Sequence, residues 1–512
     1  MSERRNPAAL SILAVLCTFA AALAAPGLAS AANEWNGFGN GPANTREDTG
    51  ETTLTPSTLP GLARGWVFSD PSSAYEEYSE PAVVKGVAYF GLRNGVVYAL
   101  DLATGEKLWE YQTGASVLET PAVSDGVLYV GSFDGNCYAI ETATGALKWR
   151  FATGGGVVSS PVIAGGSVFF NGGNDEIYAV DALTGSQLWE HEATNPRDGY
   201  SNVAYLSGEL YYTAWVPSGE SYAAELIALN ASSGSQSWHR DFYETWDPSS
   251  ISEPTVAHGE VYAWAMAGYA TGRIAGVSAK SGLLSWWDPG SWFGGDIAAG
   301  KSAVFAGYGY ENPGPCSPYA GGNCGYPAGS GIVAMNPKTG APLWADPGSQ
   351  NSPTLAGNLV YGVYSTELGT YFGAAEAASG KIVWQDAALE GALGPVAEGN
   401  ILFPSGNAIW DYQLPIVTTV APAISGTPKT GDTLKVTTGT WSGALKKLHY
   451  AYQWERCNDQ EAEYCYRIAG GTTSSHKVTT EDVGFFITAV VTASNEQQGA
   501  HVKAPTVGPA GP

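Results

Sequence analysis

Ala99-Leu100-Asp101-Leu102-Ala103-Thr104-Gly105-Glu106-Lys107-Leu108-Trp109 is the stretch that decides the fold. The pattern, Ala-x-Asp-x-x-Thr-Gly-x-x-x-Trp, returns at Ala139–Trp149, with Glu141 in the Asp position, and at Ala179–Trp189, with a spacing of 40 residues. Looser copies follow at Ala228–Trp238, Gly276–Trp286, Ala334–Trp344 and Ala374–Trp384. Between copies the chain runs in short segments rich in β-branched and aromatic residues, bounded by turn residues. Pro121 to Ser124, Val127 to Gly131, Cys137 to Ile140 and Leu147 to Arg150 are four such segments in one repeat. Gly after Thr permits the positive φ that a tight turn needs.

Self-similarity at this period, with four strands per unit, predicts the blades of a β-propeller. A blade cannot bury its face alone, so the repeated Trp is expected to wedge between neighbours. The docking set is Trp66, Trp109, Trp149, Trp189, Trp238, Trp286, Trp344 and Trp384. First strands begin near Pro81, Pro121, Pro161, Asn202, Pro254, Asp296, Pro353 and Pro395, which gives eight units. The eighth lacks an outer strand with a Trp before the chain changes character near Tyr412. Gly65-Trp66-Val67-Phe68 has the Trp and no strands before it, so it is expected to complete the last blade and close the ring.

The repeat resembles the tryptophan-docking motif of the pyrroloquinoline-quinone (PQQ) propeller family. Trp35-Asn-Gly-Phe-Gly-Asn-Gly-Pro-Ala-Asn-Thr-Arg46 resembles that family's N-terminal lead-in. The resemblance covers 35–412. It implies one of two activities. Quinoprotein dehydrogenases of the family hold PQQ against a disulfide between adjacent cysteines and bind Ca²⁺ through acidic and amide side chains. Other members serve as scaffolds of envelope assembly. This chain has no adjacent cysteines, and no calcium-ligand segment is recognised. The reading favours a non-enzymatic binding or scaffold protein without a cofactor, with a PQQ- and calcium-dependent dehydrogenase as one alternative and an assembly scaffold as the other.

The domain plan is a signal peptide over 1–31, a lead-in over 32–64, the propeller over 65–412, a linker over 413–423 and a small β-sandwich over 424–512. Arg4 and Arg5 before the apolar run Pro7 to Ala25, then Ala29-Ser30-Ala31, read as a cleavable secretion signal. The expected location is therefore the cell exterior or envelope. The tail alternates apolar and polar residues between turns, as in Gly431 to Val436, Tyr450 to Trp454 and Phe485 to Thr492. Its segment Trp454-Glu-Arg-Cys457…Cys465-Tyr-Arg-Ile468 resembles Ig-like modules at the tails of exported bacterial proteins. Export permits disulfides. Cys316 with Cys324 and Cys457 with Cys465 read as local bridges, and Cys137 as a buried thiol.

Composition narrows the partners. Lys and Arg number 24 against 48 Asp and Glu, a net charge of -24, which excludes nucleic acid. No later stretch is long and apolar enough to span a bilayer. A glycan or protein partner remains. No hydrolase or phosphate-loop motif occurs, and the histidines (191, 239, 258, 449, 476, 501) are scattered. No catalytic residue is assigned, and no metal ligand either.

Two candidate ligand sets emerge. Residues just before each first strand should line the axis, which puts Glu80 and Glu253 across from one another, with Glu119 and Asp296 one position away. They predict an acidic mouth that takes a cation or cationic group. The spacing between repeats also lengthens in units four to six. The added residues carry Trp215, Trp246, Trp292 and Tyr308, which are expected on loops of one face where aromatics stack on sugars or peptides. The opposing reading buries those aromatics in small local cores.

Overall fold

The computed structural model describes residues 34–70, 77–173, 176–192, 201–245, 248–267, 271–289, 292–310, 329–347, 352–366, 369–386, 394, 396–397, 399–405, 408–442, 448–462, 464–494 and 499–512. The leader, the Cys316–Cys324 pair and Trp246 lie outside these residues. So does the side chain of Trp292, although its backbone begins a strand.

Eight antiparallel sheets follow one another along the chain. Blade 2 shows the plain form. Ala122–Ser124, Val127–Ser132, Asn136–Glu141 and Leu147–Ala152 pair in sequence order. Blades 1 and 3 repeat it. The two middle strands are buried on both faces and the outer strand on one, as their near-continuous apolar runs require.

The Trp wedges are observed as stacking on the next blade's Thr-Gly or Ser-Gly turn. The indole N–H of Trp109 donates to Thr142 O at 2.7 Å and that of Trp149 to Ala182 O at 3.0 Å. Trp66, Trp189, Trp238, Trp286 and Trp344 make the equivalent bond. Gly145 shows why the turn needs glycine. Its φ is 71°, and a Cβ there would sit 2.9 Å from the Trp109 ring. Trp384 has no such turn ahead of it, because blade 8 takes its outer strand from elsewhere. It packs on Phe372 instead, at 5.7 Å.

That outer strand is Ala63–Phe68, which pairs with Ala408–Gln413 in the register Val67 to Trp410. Trp66 then docks on blade 1 through Leu102 O at 2.8 Å. Residues of the first and last blades share one core, with Trp66, Val83, Phe90, Leu402 and Ile409 buried together. Gly65 is demanded here, since a Cβ would collide with Asp411 and Gln413.

After the propeller, Ile424–Ser425, Thr433–Val436 and Ser475–Lys477 form one sheet, and His449–Cys457, Cys465–Arg467, Phe486–Ser494 and Gly499–Lys503 another. Leu434, Trp454, Ile487 and Val491 fill the core between them. Cys457 and Cys465 are bridged across facing strand positions. The segment read as a linker over 413–423 is not free chain. Gln413 belongs to the last propeller strand, and Val417–Val420 pairs with Thr440–Ser442. Cys137 is the buried free thiol, and burial pushes its pKa up.

Candidate functional site: an acidic axial well closed by the lead-in

The lead-in follows the inner strands around the propeller. Trp35 exchanges backbone hydrogen bonds with Val83 at 2.6 and 2.7 Å. The carbonyls of Asn36, Pro42, Ala43, Thr45, Arg46 and Asp48 then accept from Val123, Tyr205, Val256, Ala299, Leu355 and Gly357. The Glu51 carboxylate accepts from Gly399 N at 2.6 Å. One segment thus bonds blades 1, 2, 4, 5, 6, 7 and 8 in turn, and Glu47–Asp48 adds a short parallel strand to blade 7.

Arg46 departs from ordinary backbone geometry, at φ 49°. A non-glycine residue in the left-handed region costs about 1–3 kcal/mol and persists only where surrounding contacts compensate. Those contacts are at the guanidinium. It is 2 % exposed and donates to Glu80 at 3.1 Å and to Asp296 at 3.0 Å. It also donates to Pro353 O at 3.2 Å and Thr354 Oγ1 at 3.4 Å. The Trp35 ring lies 5.9 Å from its carbon centre.

All four acidic residues read from the sequence converge here. Glu253 and Glu119 complete the well, since Glu253 feels the charges of both Asp296 and Glu119, and Arg46 feels that of Glu253. Burial pushes Glu119 up to about 7, partly offset by a hydrogen bond from Ser160. Burial and the negative charge of Asp296 push Glu253 up as well. Burial also raises Glu80, against the pull of Arg46. For Arg46 desolvation works against the charge, and the carboxylates overcome it. The well therefore holds paired charges at Arg46 and carboxyl groups that retain protons near neutrality.

The expected cationic guest is the chain's own Arg46. Sequence reasoning quoted this residue within the lead-in and gave it no role. The signal was present: four acidic residues at the axis call for a counter-charge, and Arg46 is the one Lys or Arg in the lead-in motif Trp35 to Arg46.

The aromatic set needs correction. Trp215 is 4 % exposed and packs edge-on against Tyr243 at 6.3 Å. Tyr308 is fully buried among Trp286, Ile297 and Val333. Both are core side chains, unavailable for stacking on a ligand. The reason is that the added residues around Trp215 and Tyr308 lengthen strands. Trp215 lies in Glu209–Ser218 and Tyr308 in Val304–Tyr310, middle strands whose side chains are buried on both faces. The exposed aromatic nearby is Trp287, with Arg273 stacked 4.4 Å from its ring and 5.3 Å from Tyr243.

Residues 93–205 and 199–403 match the family described as outer membrane protein assembly factor BamB, a PQQ-type repeat. The chain belongs to this family of PQQ-type repeat propellers. No curated protein matches the chain. Among solved structures it is similar to the quinohemoprotein alcohol dehydrogenase of Comamonas testosteroni, at 15% identity and a TM-score of 0.55, covering 78% of this chain and 84% of that one. It is also similar to quinohemoprotein alcohol dehydrogenase ADHIIG of Pseudomonas putida HK5, at 16% identity and a TM-score of 0.54, covering 75% and 80%. BamB from Moraxella catarrhalis matches at 16% identity and a TM-score of 0.49, covering 69% and 99%. At these identities the likeness is one of fold. Among the described residues no helix is long and apolar enough to cross a membrane.

Proposed function

We propose that this chain is a non-enzymatic binding scaffold of the cell exterior or envelope. Its propeller engages a protein or glycan partner on the face carrying the connections between blades, and the C-terminal sandwich serves as spacer or adhesion unit in the manner of Ig-like modules. The observation that carries this reading is the axial well. The donor set does not fit the quinone and calcium of the dehydrogenases. A quinone bearing carboxylates needs a free cation, whereas Arg46 is engaged by Glu80 and Asp296. Glu119 and Glu253, whose pKa values burial raises, offer it no positive charge. Carboxylates suited to a hard cation are turned on a guanidinium instead. The only described free cysteine, Cys137, is buried in a blade. The assembly-factor description of the matched family agrees with a scaffold role.

The test is calorimetry of the purified chain with PQQ and Ca²⁺, alongside dye reduction with simple alcohols and sugars. The proposal expects no saturable binding and no reduction; saturable binding with turnover would overturn it. A parallel panel of immobilised basic peptides and glycans addresses the partner. Retention that weakens as salt rises fits an acidic face, and absence of retention on every probe counts against it.

A further inference from the structure

We propose that Glu225, His239 and Asp241 form a divalent-cation site on blade 4, suited to a borderline ion such as Zn²⁺. The three lie on neighbouring strands, Ser221–Asn230 and Gln236–Thr245. Glu225 faces Asp241 in the register and Ile227 faces His239. Residues two apart on a strand share a face, so His239 and Asp241 project to the same side as Glu225. Their ligating atoms all lie within 4.8 Å of one another. The imidazole Nδ1 and a Glu225 oxygen are 3.1 Å apart. Small rotations bring one nitrogen and two carboxylate oxygens within the roughly 2.0–2.2 Å that zinc takes. His239 is 56 % exposed, which leaves a coordination position open to water.

The other regular blades show that this triad is a departure. The equivalent positions are Val96, Glu110 and Gln112 in blade 1, and Asn136, Arg150 and Ala152 in blade 2. In blade 3 they are Glu176, Glu190 and Glu192. Among these four blades, only blade 4 combines an imidazole with two carboxylates, the mixed donor set that favours zinc over calcium.

The site also sits at a particular place. The pairing shifts register between Ala224 and Glu225, a bulge at the unpaired Phe242. Regular blades end their third and fourth strands at the level of Glu225 and Asp241, and beyond it blade 4 continues to Ser221 and Thr245. Bulges re-aim side chains and mark functional positions. A metal bound here would staple the regular blade to its extension.

The test is zinc chloride titrated by calorimetry into the purified full-length chain without a histidine tag, with thermal unfolding as a second readout. The parent should bind one zinc saturably and unfold at higher temperature with it. His239→Ala and Asp241→Asn should each weaken binding at least about tenfold and lose the thermal shift. Both positions are exposed, and unfolding without metal checks that the variants fold. Glu119→Gln, in the axial well, should bind as the parent does. Absence of saturable zinc binding would overturn the proposal. So would binding that survives both substitutions, binding lost only in Glu119→Gln, or an equal response to calcium.

Discussion

Blades 2 and 4 are built on one plan and differ in length. In blade 2 the second, third and fourth strands have 6 residues each. In blade 4 each has 10. The added residues extend the hairpins while keeping the docking Trp in place, because Trp189 and Trp238 still bond the next turn as Trp149 does. The extension packs Trp215, Ala224, Phe242 and Tyr243 into the core that blade 4 shares with blade 5, beside Tyr211, Val256 and Val277. The described insertion is thus absorbed by the sheet, and its Trp215 and Tyr243 are spent on packing.

That contrast can be broken at several points. Arg46 joins the regular side at Glu80 to the lengthened side at Asp296. Arg46→Met should cost about 3–5 kcal/mol, since it strands buried carboxylates; a chemical denaturation midpoint near that of the parent would show that the well tolerates their charge unaided. Next, Trp149→Ala and Trp215→Ala should each cost about 3–4 kcal/mol in the same experiment. A Trp215→Ala loss below about 0.5 kcal/mol would mark a surface residue instead and restore the ligand-stacking reading.

Glu119→Gln should change the pH profile by on the order of 3 kcal/mol. The folded-state pKa, about 7, lies above the ordinary carboxyl value of 4.5. The folded form therefore holds the extra proton between these values, and stability falls as pH rises through that window. Melting scans at several pH values should show a flatter profile for the Gln variant; an unchanged slope would place the titration elsewhere. The smallest effect belongs to Arg273→Leu. Losing the stack on Tyr243 and Trp287 should cost about 0.5–1 kcal/mol, and a larger loss would mean that this exposed stack anchors the extension.

Much of the fold was legible because it rests on periodic signals. The Thr-Gly turns, the Trp wedges, the first-strand positions and the closing strand at Trp66 all follow from repetition, and each has a local physical cause. The convergence of Glu80, Glu119, Glu253 and Asp296 was legible too, since ring order fixes which residues meet at the axis. Arg46 was hidden by distance along the chain. Nothing local announces that a left-handed residue of the lead-in meets residues 34 and 250 positions away. Trp215 and Tyr308 were misjudged because length alone does not tell a longer loop from a longer strand. The nearly unbroken apolar run from Leu210 to Val216, the mark of a strand buried on both faces, was the available clue.

Ring closure also sets an order of events. Ala63 leaves the ribosome early yet pairs with Gln413, and the lead-in ahead of it bonds blades spread over the whole propeller. The early part of the chain must wait, unpaired, for the late part. Contacts so distant in sequence make folding slow, and they leave sheet edges open in the interval. A chain delivered head first into a new compartment would meet that compartment's chaperones and proteases before its ring could shut.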